Sequence, residues 1–222
     1  MAFRGELNVA CGDVDGDGKD EIGIARASGK STVRIFDFDG GKAKKKYEWN
    51  AFGKSHVGAS IAFGDIDKDG KAEIIAGQGK GGASLVRTFE ASGSPKSLKF
   101  TAFEAAYTGG IDVDSADFDG DGKDDVVVSK LSGSSDVKTY KDSGTVLGSW
   151  RAFGKAKVGA NVKASDINND GKAEVIVASA TGAPQVRSFS ASGTPLGMNF
   201  FAYNKNLKSG LDLTVSTNPE NL

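Results

Sequence analysis

Four short stretches of this chain gather oxygen side chains at a spacing that suits a hard metal cation. They read Asp13-Val14-Asp15-Gly16-Asp17-Gly18-Lys19-Asp20-Glu21, Asp65-Ile66-Asp67-Lys68-Asp69-Gly70-Lys71-Ala72-Glu73, Asp117-Phe118-Asp119-Gly120-Asp121-Gly122-Lys123-Asp124-Asp125 and Asp166-Ile167-Asn168-Asn169-Asp170-Gly171-Lys172-Ala173-Glu174. Counted from the first Asp, oxygen-bearing side chains stand at positions 1, 3, 5 and 9 of every copy, and position 6 is always Gly. Calcium is held by several oxygens converging in one short loop around a sharp turn, and Gly takes such a turn without a Cβ penalty. Magnesium prefers a smaller octahedral site that retains water, so a carboxylate-rich loop favours calcium, with four ions expected per chain.

The loops are not EF-hands. An EF-hand requires Glu at position 12, where this chain has Ile24, Ala76, Val128 and Val177; the last acid arrives at position 9 instead. The runs that follow, such as Glu73-Ile-Ile-Ala-Gly and Asp125-Val-Val-Val-Ser, are short and β-branched, so they read as strands. A metal-free Asp/Gly turn is the alternative for any single copy. Four copies make it a poor account, because each crowds three or four carboxylates together against their mutual repulsion.

The first acids, Asp13, Asp65, Asp117 and Asp166, are spaced by 52, 52 and 49 residues. Other features keep the same step. A strand A precedes each loop (Leu7-Asn-Val-Ala-Cys, Ala59-Ser-Ile-Ala-Phe, Ile111-Asp-Val-Asp-Ser, Ala160-Asn-Val-Lys-Ala), and strand B follows it. Strand C alternates apolar and polar residues, as in Val33-Arg-Ile-Phe, Val86-Arg-Thr-Phe, Val137-Lys-Thr-Tyr and Val186-Arg-Ser-Phe. Strand D ends in an aromatic pair: Trp49 and Phe52, Phe100 and Phe103, Trp150 and Phe153, Phe200 and Tyr203. These aromatics are expected to pack between neighbouring repeats. Four antiparallel strands in each repeat of about fifty residues predict an all-β fold, a β-propeller of four four-stranded blades. The blades are expected at about 5–57, 58–109, 110–158 and 159–209 of a single domain or propeller segment, 1–222. Ser209-Gly-Leu-Asp-Leu-Thr-Val215 reads as a surplus fifth strand A, with 210–222 a C-terminal strand or cap. Thr217 stands where a fifth loop would need its first Asp.

Phe52-Gly53, then Gly58-Ala-Ser-Ile-Ala-Phe-Gly, the acidic loop Asp65–Glu73 and the apolar Ile74-Ile-Ala-Gly77 resemble the FG-GAP/VCBS repeat of integrin α-subunit heads and bacterial surface propellers. The resemblance covers nearly the whole chain. It implies calcium at the A–B loop, held by the acids at positions 1, 3, 5 and 9 and by the position 7 carbonyl. The implied ligands are Asp13, Asp15, Asp17, Lys19 and Glu21; Asp65, Asp67, Asp69, Lys71 and Glu73; Asp117, Asp119, Asp121, Lys123 and Asp125; and Asp166, Asn168, Asp170, Lys172 and Glu174. Asn168 removes one charge from the fourth loop, so that site is expected to be weaker.

The remaining composition excludes more than it selects. Gly is abundant at 31 residues and Pro scarce at 4, which suits short strands with tight turns. No segment is long and apolar enough to span a membrane. Residues Met1 to Glu6 show no basic and apolar leader. Cys11 is the only cysteine and reads as a small core or strand residue; His56, the only histidine, lies in a loop. The formal net charge of −1 gives no reason to expect nucleic-acid binding. It conceals a segregation, with acids in the loops and lysines elsewhere: Lys42, Lys44, Lys45 and Lys46 in one hairpin, and Lys54, Lys155 and Lys157 in turns before strand A. The expected function is therefore a calcium-stabilised extracellular or cell-surface module for binding, structure or adhesion, and not an enzyme. The alternatives are a carbohydrate-binding lectin and a non-catalytic part of a polysaccharide-active enzyme. A protein or an anionic polysaccharide is the expected partner, with a homo-oligomer or further blades in a longer chain completing the ring. A catalytic site assembled from loops would draw on residues such as His56, Tyr107 and Arg151.

Overall fold

The computed structural model describes residues 3–215; Met1, Ala2 and 216–222, with Thr217 of the degenerate fifth loop, lie outside the described residues. The described residues form sixteen strands and no helix. The first sheet holds β1 (Leu7–Gly12), β2 (Glu21–Arg26), β3 (Thr32–Asp39) and β4 (Lys42–Asn50). The second holds β5 (Ala59–Gly64), β6 (Glu73–Gln78), β7 (Leu85–Phe89) and β8 (Pro95–Thr101). The third holds β9 (Ile111–Ala116), β10 (Asp125–Lys130), β11 (Asp136–Tyr140) and β12 (Val146–Arg151). The fourth holds β13 (Ala160–Ser165), β14 (Glu174–Ser179), β15 (Gln185–Phe189) and β16 (Pro195–Phe201). In each sheet the spatial order follows the chain, and no sheet closes on itself. The chain divides into two compact units, Met1–Val113 and Asp114–Leu222.

The second strand of each sheet positions the acidic loop. β6, β10 and β14 are buried along their whole length, as their continuous β-branched runs require. Each opens on the position 9 acid, and its antiparallel partner ends just before position 1; Gly12 faces Glu21, Gly64 faces Glu73 and Ser165 faces Glu174. The loop is thereby pinned at both ends by a ladder.

Within the first unit, Val33, Ile35, Ala59, Ile61, Ile74 and Phe89 pack the first sheet on the second. Trp49 from β4 lies with its ring centroid 4.4 Å from that of Phe89, and its Nε1–H donates to the Ala91 carbonyl at 3.1 Å. The second unit repeats the arrangement, with Trp150 on Phe189 at 5.6 Å. Each Trp lies over a tight turn, and a Cβ on Gly93 or Gly193 would fall 2.5 or 2.7 Å from the indole. Serine hydroxyls fix the chain after the outer strand: Ser31, Ser84 and Ser135 accept the N–H of Phe52, Phe103 and Phe153 at 2.9, 3.1 and 2.9 Å.

Three expectations need correction. The fourth aromatic pair is not core: Phe200 is 48% and Tyr203 65% exposed. Pro184 stands where the serine would be, leaving only its carbonyl to accept the Ala202 N–H. Cys11 lies on a strand but is exposed, because its side of β1 faces outward with Leu7 and Val9. Residues 211–215 do not form a strand. In all four sheets strand A pairs only with the strand B of its own repeat, and 211–215 has no such partner among the described residues. The segment still packs as a strand A does. Leu211, Leu213 and Val215 lie against Ile176, Ala178 and Val186, and Asn161 Nδ2 donates to the Leu211 carbonyl at 2.6 Å, as Asn8 Nδ2 does to Ala59 at 2.7 Å.

Replacing Trp49 by Ala removes an indole held by ring contact and one hydrogen bond. The expected loss is about 3 kcal/mol of unfolding free energy, read by urea denaturation followed by circular dichroism.

Candidate metal centre

The four loops share one hydrogen-bond frame. The position 1 carboxylate accepts the backbone N–H of position 6 at 2.8, 2.9, 2.8 and 2.8 Å for Asp13, Asp65, Asp117 and Asp166. The position 5 carboxylate accepts the N–H of position 7, from Lys19, Lys71, Lys123 and Lys172, at 2.9 Å in every loop. The position 9 acid reaches back to the N–H of position 2. Glu21, Glu73, Asp125 and Glu174 accept from Val14, Ile66, Phe118 and Ile167 at 3.1, 3.0, 3.2 and 3.0 Å. One oxygen of that acid is thus spent on the loop itself, and its second is left for another donor or a cation.

The carboxylates converge in three loops. Asp13, Asp15 and Asp17, then Asp65, Asp67 and Glu73, then Asp117, Asp119 and Asp125 each offer oxygens within 4.8 Å of one another. Glu21, Asp69 and Asp121 belong to the same loops without joining those groups, and the fourth loop forms no such group among the described residues. There, Asn168 Nδ2 donates to Glu174 Oε1 at 2.7 Å. In the third loop the shorter Asp125 gives its second oxygen to the Asp142 N–H at 2.9 Å. In the second loop Glu73 is fully buried, and its Oε1 lies 3.2 Å from Lys96 Nζ.

The electrostatics follow from this placement. Burial pushes the Glu73 and Glu174 carboxyls up, and raises Asp125 to about 6. Backbone donors, led by the Gly18 N–H, hold Asp13 down; Lys46 and Lys141 do the same for Asp15 and Asp119. An acid whose ionised form is disfavoured by burial is stabilised by any donor or cation brought beside it.

Two parts of the site escaped the sequence reading. The first is position 4, which is left-handed like position 6: φ is 80° at Gly16, 65° at Lys68, 81° at Gly120 and 59° at Asn169. Only two of these are Gly, so residue type gave no consistent signal. The second is a set of lysines brought in from outside the loops. Lys46 Nζ lies 2.7 Å from Asp15 Oδ2 and 3.1 Å from Glu21 Oε1. Lys96 Nζ lies 2.6 Å from Asp67 Oδ2, 3.2 Å from Glu73 Oε1 and 2.8 Å from Glu90. Lys141 pairs with Asp119. Its neighbours in sequence place Lys46 on a basic hairpin surface, and the fold turns it into the first loop instead. Neighbouring loops also join: the Ala72 N–H donates to the Asp13 carbonyl at 2.7 Å, and Ala173 to Asp117 at 2.8 Å.

The residues that offered an alternative catalytic site have other places. Tyr107 Oη donates to the Gly110 carbonyl at 2.6 Å, Arg151 pairs with Asp136 at 2.7 Å, and His56 is exposed.

Fold and site together define an all-β repeat protein with an acidic loop between the first two strands of each sheet. The family model for the FG-GAP-like repeat matches residues 10–76 and 117–177, more than half of the chain. The chain belongs to this family. No curated protein sequence matches it. Among solved structures it is similar to the rhamnogalacturonan lyase YesW, with 17% identity and a TM-score of 0.58 over 86% of this chain and 42% of that one. It is equally similar to a Bacillus licheniformis rhamnogalacturonan lyase, with 20% identity and a TM-score of 0.58 over 85% and 41%. The exotype rhamnogalacturonan lyase YesX follows, with 16% identity and a TM-score of 0.56 over 85% and 40%. The chain spans about two fifths of the length of these enzymes.

Gly70 tests the loop backbone alone, since its φ is 83° and nothing lies within 4 Å of a Cβ built there. Gly70→Ala is expected to cost about 1–2 kcal/mol, measured by thermal unfolding of the metal-free protein.

Proposed function

We propose that the chain is a calcium-stabilised, non-catalytic module whose four sheets are blades of a β-propeller segment, at about 5–57, 58–109, 110–158 and 159–209. The observation that carries the calcium reading is the shared loop frame, in which backbone N–H groups orient the carboxylates and the position 9 acid turns its second oxygen toward a donor or a cation. Glu73 is fully buried and its Oε1 faces the Lys96 ammonium at 3.2 Å, a place that takes a cation. The donors are oxygens throughout, the hard set that calcium takes. The acids at positions 1, 3, 5 and 9, Asn168 and the carbonyls of Lys19, Lys71, Lys123 and Lys172 would hold the ions. An ion bound only by the folded loop stabilises the fold by linkage. Sites of this kind in extracellular modules bind in the range of roughly 10⁻⁴–10⁻³ M, which suits the calcium-rich outside of a cell.

Two faces support assembly with further blades or with another copy. On the first sheet, Leu7 and Val9 are 51% and 59% exposed, and on the fourth Phe200 is 48% exposed. Within each unit the positions equivalent to Leu7 and Val9 on the other sheet, Ala59 and Ile61, and Ala160 and Val162, are buried.

Calcium titration by calorimetry, with metal analysis after dialysis, tests the reading. Four ions per chain are expected, together with a calcium-dependent rise in melting temperature. Asp69→Ala is expected to remove one ion and part of that rise; a stoichiometry of one or none would sink the proposal.

A polysaccharide partner is favoured by the likeness to rhamnogalacturonan lyases and by charge. Four calcium ions would turn the formal −1 of the chain into +7, and Lys54, Lys155 and Lys157 are exposed. Bound ions reverse the long-range field. The calcium-loaded protein is expected to elute later from a heparin or alginate column than the chelated protein, with circular dichroism confirming that the latter is folded. Equal, negligible retention of both would remove this partner.

A further inference from the structure

The lysines that reach the loops follow a rule. Each loop with Asp at position 3 receives an ammonium from the outer hairpin of its own sheet: Lys46 on β4 to Asp15, Lys96 on β8 to Asp67, and Lys141 just after β11 to Asp119. The loop with Asn168 at position 3 receives none among the described residues. In the fourth sheet Leu196 stands at the place of Lys96, one residue after the proline that opens the strand, and Ser190 stands at the place of Lys141. Here the Asn168 amide supplies the donor to Glu174 Oε1 that the ammonium supplies elsewhere. The charges match as well. Four carboxylates with one ammonium carry −3, as do the three carboxylates of the fourth loop.

The ammonium occupies the oxygens a metal ion needs. In the first two loops it bridges position 3 and the second oxygen of position 9, the two acids on either side of the loop opening. A divalent cation and an ammonium on the same two oxygens repel each other in a partly buried site, where the interaction is screened less than in water. Both lysine side chains are about three-quarters buried, with 26% and 23% exposure.

We propose that Lys46, Lys96 and Lys141 are resident counter-ions of the first three loops. Each holds its acids together when no divalent ion is bound, and each gives up the position 3 carboxylate when calcium enters. The inference rests on the calcium reading and adds an exchange to it. Calcium in these loops replaces a built-in cation, so the metal-free protein stays folded and the affinity is lower than the acids alone would give. The fourth loop works without exchange, because its third ligand is neutral.

The test uses the full chain, with calcium chloride as the probe. Lys46→Met and Lys96→Met keep the aliphatic stem and remove the charge. Each is expected to tighten calcium at one site about tenfold by calorimetric titration, and to lower the melting temperature in chelator while leaving it unchanged or higher in calcium. Lys99→Met, on the exposed side of β8, controls for the general loss of positive charge. In the reverse direction, Leu196→Lys, at a 39% exposed position, is expected to weaken the fourth site. A variant that unfolds in chelator and refolds in calcium, read by circular dichroism, also supports the exchange. Affinities equal to those of Lys99→Met, or weaker than wild type, would overturn the exchange while leaving the calcium reading intact. Absence of calcium binding in wild type and variants alike would remove both.

Discussion

The structure depends on a carboxylate buried at the start of a strand, where its polar atoms need partners. In every repeat the position 9 acid opens the second strand of the sheet, is buried or nearly so, and binds the N–H of position 2. That bond closes the loop and ties it to the sheet. It also carries a negative charge into a region of low polarity, which costs free energy unless a donor or cation answers it. Everything else at the loop answers this demand, from Lys46 and Lys96 to the Asp142 N–H and the Asn168 amide.

The same acid couples site and fold. Because the ladder of β5 and β6 ends on the pair Gly64 and Glu73, anything that moves Glu73 disturbs the register of two strands. β6 in turn supplies Ile74 and Ala76 to the core shared with the first sheet. A change at the loop therefore bears on packing well beyond the loop. The bonds between neighbouring loops, from Ala72 to Asp13 and from Ala173 to Asp117, extend that coupling to the loop pair within each unit.

The packing between sheets is carried by a second repeated device, an aromatic from the outer strand of one sheet laid over the third strand of the next. Trp49 and Trp150 fill this place, and Arg87 and Arg187 stack on the Phe89 and Phe189 beneath at 4.8 and 4.9 Å. Phe200 repeats the pattern in sequence and is exposed, with no sheet over it among the described residues.

The sequence by itself determined the strands, their order and the place of the acidic loops between them. Those features depend on local rules: alternation of apolar residues, β-branched runs, glycine at a left-handed position, and acids at a fixed spacing. It also located Trp49 and Trp150 in the core, because their spacing from the loops repeats. Only the tertiary structure decided what depends on residues far apart in the chain. Lys46 and Lys96 lie 25 and 23 residues from the position 9 acids they reach, on strands whose exposed pattern marks them as surface lysines. The left-handed position 4 was hidden because Lys68 and Asn169 hold it as well as glycine does. Residues 211–215 carry a strand's pattern without a strand's ladder, and pattern alone cannot supply the partner that hydrogen bonding needs.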